Sequence, residues 1–173
     1  MAEPEASQET IRRLYAAMDA HDVDAMAACY APDARFEDPV FGPLTGAEAG
    51  DMWRLLTSRS KDLRIELAEH RSEGDGGTAR WIARYTFGPT GRRVTNDIRA
   101  SFRFREGLIV EHTDRFSFYR WARQALGPMG LLFGWAPPLR LALRRRALED
   151  LAKFSRKRAR GAAESPDPDE DAP

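Results

Sequence analysis

Four polar side chains in this chain fall among apolar ones, and each is of a type that can move or hold a proton. Asp38 ends the run Ala34 to Asp38, just before Pro39-Val40-Phe41-Gly42. A carboxylate at the rim of an apolar pocket is harder to ionise, which suits it to general-base work. An aspartate that merely caps the loop is the plainer alternative. His112 and Asp114 share the inward register of Val110, His112, Asp114, Phe116 and Phe118, and their i, i+2 spacing puts them on one face of a strand. A buried imidazole or carboxylate is costly unless paired. Their place on the dry side of a sheet points to a cavity, to a His–Asp pair anchoring the first helix, or to a register slipped by one. Tyr15 lies on the apolar face of the first helix. Its hydroxyl can donate to a ligand carbonyl or enolate oxygen, or to the backbone as a core tyrosine does.

Aromatic residues at Phe41, Trp53, Trp81, Tyr85, Phe102 and Phe116 would either wall such a cavity or fill the core. As walls they suit a small lipophilic ligand better than a sugar or a phosphate. Other chemistries find no pattern. There is no P-loop, no G-x-G-x-x-G and no G-x-S-x-G. Histidines scattered at His21, His70 and His112 make a poor metal site, so neither a metal nor a cofactor is expected. Basic and aromatic residues do not interleave as in RNA-recognition sheets, so no nucleic-acid partner is expected.

The elements that must position these residues follow from periodicity. After Ser7, residues Ile11, Leu14, Tyr15 and Met18 repeat at the spacing of one helix face. Asp22 can cap a second helix carrying Met26, Ala27 and Tyr30, which Pro32 ends. A short strand, Ala34 to Asp38, stops at Pro39, and a third helix follows Gly46 with Ala49, Met52, Trp53 and Leu56 on one face. Four alternating runs come next, centred on Leu63–Leu67, Trp81–Phe87, Val94–Phe104 and Val110–Phe118, separated by turns at Asp75-Gly76-Gly77, Pro89–Gly91 and Glu106-Gly107. Period-two patterning over adjacent runs predicts an antiparallel sheet, wet on one face and dry on the other. A helix over Tyr119 to Leu126 is broken at Gly127-Pro128. An apolar loop at 130–136 follows, and then a helix from Pro137-Pro138 to about Arg160. Arg140 and Asp150 interrupt the apolar stripe of that helix.

The bulk numbers fit one domain with a tail: 173 residues, 42% apolar and 31% charged. Cys29, the only cysteine, excludes an internal disulfide and reads as a small buried hydrophobe. The acidic N-terminus has no apolar run of the signal-peptide kind, and no stretch is long enough to span a membrane. A cytoplasmic location is the expectation. Zero net charge hides an uneven layout, with a net of +7 over 140–160 and −5 over 161–173. The basic block with the apolar 131–135 run has the composition of a weak membrane-surface contact through 131–160. The alternative is a structural cover whose arginines face water.

The pattern Tyr15-x-Ala17-x-x-Ala20-x-Asp22, with Glu37-Asp38-Pro39, resembles ketosteroid isomerase of the nuclear transport factor 2-like superfamily. Ile109-Val110-Glu111-His112-x-Asp114-x-Phe116 with Gln124-x-Leu126-Gly127 looks like the ending of its SnoaL-like polyketide cyclases. The resemblance implies Tyr15 as an oxyanion donor, Asp38 as a proton shuttle and Asp114 as an acid/base group. His112, beside Asp114 on the same strand face, would be its orienting partner. The isomerase's second oxyanion donor precedes a Phe-Arg-Phe-like segment by two residues. Here that segment is Phe102-Arg103-Phe104, the position holds Ala100, and half of that oxyanion hole is missing.

The expected fold is α+β: a cone-shaped barrel in which a curved antiparallel sheet wraps N-terminal helices, with an extra C-terminal helix outside. Residues 1–7 would be a flexible N-terminus, 8–127 the SnoaL-like domain, 128–160 the apolar loop and basic helix, and 161–173 a disordered acidic tail. The expected function is a cofactor-independent isomerase, cyclase or dehydratase (an isomerase or lyase) acting on a lipophilic carbonyl compound. The alternative is a non-catalytic ligand-binding or interaction module of the same fold. Many relatives dimerise through the outer sheet face. Here that face carries Arg80, Arg84, Arg99, Arg103 and Arg105, so a homodimer requires acids to oppose them.

Overall fold

The computed structural model describes the backbone of residues 2–163 and the side chains of 5–161. The chain runs α1 (Ala2–Asp19), α2 (Val23–Ala27), β1 (Tyr30–Asp38), β2 (Gly42–Thr45), α3 (Gly46–Arg59), β3 (Arg64–Glu73), β4 (Gly76–Phe87), β5 (Arg92–Arg105), β6 (Leu108–Arg115), α4 (Phe118–Leu126), α5 (Pro128–Phe133) and α6 (Pro137–Ala163). The expected α+β class holds: one curved, open six-stranded sheet in the order β2-β1-β6-β5-β4-β3, with the N-terminal helices packed on it.

Helix α1 buries Ile11, Leu14, Tyr15 and Met18, the face its spacing requires. It begins at Ala2, so from there on the stretch read as flexible is helical. The physical reason is a second set of contacts. Ser7 is buried, and the Thr10 hydroxyl donates to the carbonyl of Gly107 at 2.7 Å, tying the first turns to the β5–β6 turn. Asp22 caps α2, accepting from the amide of Ala25 at 2.9 Å. Tyr30 is not on α2 but opens β1. Pro32 is tolerated inside that strand because the register shifts between Tyr30 and Arg35.

All strand pairings are antiparallel except β1–β6, which is parallel. The sequence predicts only antiparallel pairing, since alternation tells which face a residue takes but not which neighbour its strand finds. A parallel pair needs a long crossover, which α3 and the β3–β5 meander supply. A bulge between Arg103 and Phe104 sets Phe104 opposite Ile109. Ile109 is therefore buried and Val110, expected inward, is half-buried. An inserted residue reverses the alternation at that point, and beyond it His112 and Asp114 face inward as expected.

Four of the five outer-face arginines, all but Arg99, pair with acids of their own chain. Arg80 forms a two-point pair with Asp97 (3.0 and 2.8 Å), Arg84 meets Glu66 at 2.8 Å, and Arg105 meets Asp33 at 2.6 Å.

Residues 130–136 are not a plain loop. Pro128 breaks α4 and at the same time supplies the first turn of α5, where its missing N–H costs nothing. Gly130 lets α5 close on α4, since a Cβ there would lie 1.9 Å from the carbonyl oxygen of Ala122. Helix α6 is not simply outside the cone. It packs on α3, buries Leu151 in the main core, and pairs Asp150 with Arg59 at 2.9 Å. Arg140 donates to the carbonyl of Pro39 at 3.3 Å and stands over the ring of Phe118. The two interruptions of its stripe are thus docking contacts. The helix continues through Ala163, past the expected start of a disordered tail, and residues 164–173 of that tail lie outside the described residues.

Candidate active site

Asp38 sits where β1 gives way to the loop 39–41. Its Oδ1 accepts from the amides of Val40 (2.9 Å) and Phe41 (2.5 Å), so it does cap the loop. It also lines a cavity. Burial pushes its carboxyl up to about 6, and the charge of Asp114 adds to this, while the amides of Phe41, Val40 and Gly42 hold it back.

Asp114 reaches the same cavity from β6. Its Oδ1 accepts from the indole N–H of Trp81 at 3.2 Å and lies 3.0 Å from Nε2 of His112. The other ring nitrogen of His112, Nδ1, lies 2.8 Å from the hydroxyl of Tyr30. One arrangement satisfies every partner: Tyr30 donates to Nδ1, and Nε2–H donates to Asp114. Burial raises the Tyr30 hydroxyl well above its ordinary pKa, reinforced by the Asp114 charge, so it stays a donor. Trp53 is near enough to favour the opposite form, yet its indole N–H reaches no hydrogen-bond geometry. The imidazole is clamped by Phe102 at 4.4 Å and Phe36 at 5.1 Å between ring centres.

The cavity has a volume of about 540 Å³ and a mostly apolar wall. Met18, Met26, Met52, Trp53, Ile65 and Trp81 line it, and Leu143, Arg146, Ala147 and Asp150 of α6 contribute from the C-terminal part of the chain. Of the residues singled out in the sequence, Asp38, Asp114, Phe41, Trp53, Trp81, Tyr85 and Phe116 line it. Tyr15, His112 and Phe102 do not. His112 and Phe102 lie behind the wall, supporting Asp114. Tyr15 packs on Trp81 at 5.3 Å, and its buried hydroxyl has no partner. Burial lifts that hydroxyl well above its usual range, with the Asp114 charge as the next cause.

Three contributors were not read from the sequence. Asn96 is buried on β5 and lines the cavity, with no hydrogen bond from its side chain among the described residues. It sits between Val94 and Ile98 in the inward register, the same signal that marked His112. Trp121 donates to the hydroxyl oxygen of Tyr85 at 2.8 Å. That oxygen accepts, so the Tyr85 O–H remains free to donate into the cavity. Burial raises its pKa, and the Asp38 charge adds to the rise. Tyr30 is the third, hidden by its assignment to a helix. Among the described residues no group of three or more His, Cys, Asp or Glu is arranged to hold a metal ion.

A family model for the SnoaL-like domain matches residues 11–112, the span from the buried face of α1 to His112. The chain belongs to the SnoaL-like domain family. Solved structures of this family's fold agree. A putative SnoaL-like polyketide cyclase from Jannaschia sp. CCS1 is 16% identical, with a TM-score of 0.66 over 74% of this chain and 96% of its own. IdmH, a putative polyketide cyclase from Streptomyces antibioticus, is 24% identical, with a TM-score of 0.58 over 68% and 96%. An LEH-like epoxide hydrolase from M. tuberculosis is 19% identical, with a TM-score of 0.63 over 75% and 95%. At these identities the likeness concerns the fold. No curated protein matches the sequence.

Proposed function

We propose that this SnoaL-like protein is a cofactor-independent enzyme acting on a small lipophilic carbonyl compound by proton transfer. The observation that carries the reading is the pair Asp38 and Asp114 facing one apolar cavity, with Asp38 poised at about 6. A base with a pKa near the working pH combines basicity with the right protonation state. Asp38 takes a proton from the carbon beside the ligand carbonyl. The electron pair moves onto the carbonyl oxygen, which accepts a hydrogen bond from Tyr85. The proton returns to a second atom from Asp38 or by way of Asp114. His112 is a positioning residue, holding Asp114 from behind. Tyr85 takes the donor role that the sequence resemblance gives to Tyr15, because Tyr85 is on the wall and Tyr15 is not. The fold neighbours include putative polyketide cyclases and an epoxide hydrolase, which supports small-molecule chemistry in this cavity.

A positioned acid/base group is typically worth ~10²–10⁴-fold in rate. Asp38→Asn and Asp114→Asn should each lose turnover on that scale while remaining folded. Full activity in both variants would sink the enzyme reading.

A second reading is ligand binding without turnover. The loop-capping bonds of Asp38 favour it, since they give that carboxylate a structural duty. Native mass spectrometry of the purified protein would find a lipophile bound under either reading. Only the first predicts that a bound carbonyl compound exchanges its α-hydrogens with solvent deuterium.

A further inference from the structure

All seven large hydrophobic side chains that are exposed among the described residues fall between 119 and 141: Tyr119, Met129, Leu131, Leu132, Phe133, Trp135 and Leu141. Trp135 is 73% exposed, Leu141 65% and Leu132 61%. Scattered apolar residues are ordinary on a protein surface, but a cluster confined to one short helix and its flanks is not. The local fold fixes this exposure. Gly130 seats α5 on α4 by its backbone, and Gly134 packs by Tyr119 and Ala122, so the leucines and the phenylalanine between and beside them turn outward. The indole N–H of Trp135 donates to the carbonyl of Leu132 at 2.9 Å, which leaves an apolar ring facing solvent with its polar group satisfied.

Cations follow this cluster in the chain. Residues 140–160 hold nine Lys or Arg and two acids; Asp150 is taken by Arg59, while Arg158 is taken by Asp51 and Arg140 by the carbonyl of Pro39. Arg123 on α4 and Arg145 on α6 are exposed and unpaired among the described residues. Leu141 and Arg145 are four residues apart, hence on the same side of α6. No helix is long and apolar enough to cross a membrane, and α5 has six residues. An apolar cluster bordered by unpaired cations fits a surface that is apolar just beneath a negative layer.

We propose that α5, Trp135 and the outward face of α6 form a docking surface for anionic phospholipid bilayers, with Leu131, Leu132, Phe133 and Trp135 entering the interface and the arginines meeting headgroup phosphates. A second copy of the chain is the poorer occupant. In a two-fold dimer through this patch each copy meets the same surface of the other, and Arg123 and Arg145 would oppose like charge. The docking surface shares helix α6 with the ligand cavity. Trp121 of α4 and Leu143, Arg146 and Ala147 of α6 line that cavity, so the helices that would lie on the bilayer also wall the pocket for a lipophilic ligand.

The test is flotation of the full chain with phosphatidylcholine vesicles and with vesicles in which about a third of the lipid is phosphatidylserine, at low salt where the attraction is least screened. The wild-type protein should float with the anionic vesicles only. The pair Leu132→Asp and Trp135→Asp should weaken this ~tenfold or more, and Arg145→Glu with Arg123→Glu should weaken it while steepening nothing in the thermal melt. All four side chains are exposed, so unchanged melting keeps the comparison fair. Absence of flotation with anionic vesicles overturns the proposal. So does flotation indifferent to the Leu132 and Trp135 changes. A dimer in light scattering that Trp135→Asp converts to monomer would also overturn it, assigning the patch to a protein partner. None of these outcomes depends on the proposed catalysis, which the Asp38 and Asp114 variants test separately.

Discussion

Nε2 of His112 lies 3.0 Å from Oδ1 of Asp114, while the far nitrogen of the same ring lies 2.8 Å from the Tyr30 hydroxyl. The imidazole thus joins a cavity carboxylate to a tyrosine at the start of β1, and it is wholly buried. Removing the hydroxyl leaves a buried ring nitrogen without a partner, which costs ~1–3 kcal/mol. Tyr30→Phe should therefore lower the urea midpoint by an amount in that range with an unchanged m-value, as a two-state unfolding curve would show. If Tyr30→Phe were neutral, the hydroxyl would not be holding the ring.

Asp38 carries a pH signature of opposite sign to most carboxylates. Its folded pKa, about 6, lies above the ordinary 3.8, so between those values the folded state holds more protons than the unfolded. Its contribution is neutral below about pH 4 and becomes a destabilising one as pH rises through 6. Asp38→Asn keeps an oxygen to accept from Val40 and Phe41 and never ionises. The variant should be more stable than wild type at pH 7, with the gap closing at pH 4. Thermal melts at both pH values check this. A variant less stable at pH 7 would mean that the charged form is favoured where it sits. By the same titration, catalysis that needs the deprotonated base should fall as pH drops below about 6.

Much of the site was legible because polar residues broke an apolar register. His112 and Asp114 stand out in β6, and Asn96 stands out by the same rule in β5. Tyr15 lies on the helix face that its spacing requires, but periodicity gives direction, not depth. Whether a buried side chain ends at the cavity or behind its wall depends on how the sheet curves. Tyr30 escapes the sequence pattern because Pro32 reads as a helix end, whereas it sits at an irregularity in β1. Alternation fails at Val110 for a related reason, since a bulge has no residue signature here. Helix α6 shows the limit of a stripe argument: Arg140 and Asp150 break the apolar pattern because they bind partners far away in sequence.

Tyr85 is the wall residue assigned to donate to the ligand oxygen, with Trp121 orienting it. Loss of one such donor costs ~10²–10³ in turnover. Tyr85→Phe should slow turnover on that scale, and Trp121→Phe should slow it less, because the donor then remains but is no longer held. Tyr15→Phe should change turnover little. Equal losses for Tyr15→Phe and Tyr85→Phe would restore Tyr15 to the donor role.

Gly130 has no room for a methyl group against the Ala122 carbonyl. Gly130→Ala should force α5 from α4 and cost on the order of 1–3 kcal/mol, read as a fall in melting temperature. A melting temperature equal to wild type would show that α5 is not seated as described.

Asp38 and Asp114 line the same apolar cavity, and the charge of Asp114 raises the pKa of Asp38. Carboxyl-carbon NMR of Asp38, titrated in wild type and in Asp114→Asn, measures that relationship directly. The expected result is a midpoint near 6 in wild type and a lower midpoint once the Asp114 charge is gone. A wild-type midpoint near the ordinary 3.8, unchanged in Asp114→Asn, would contradict it.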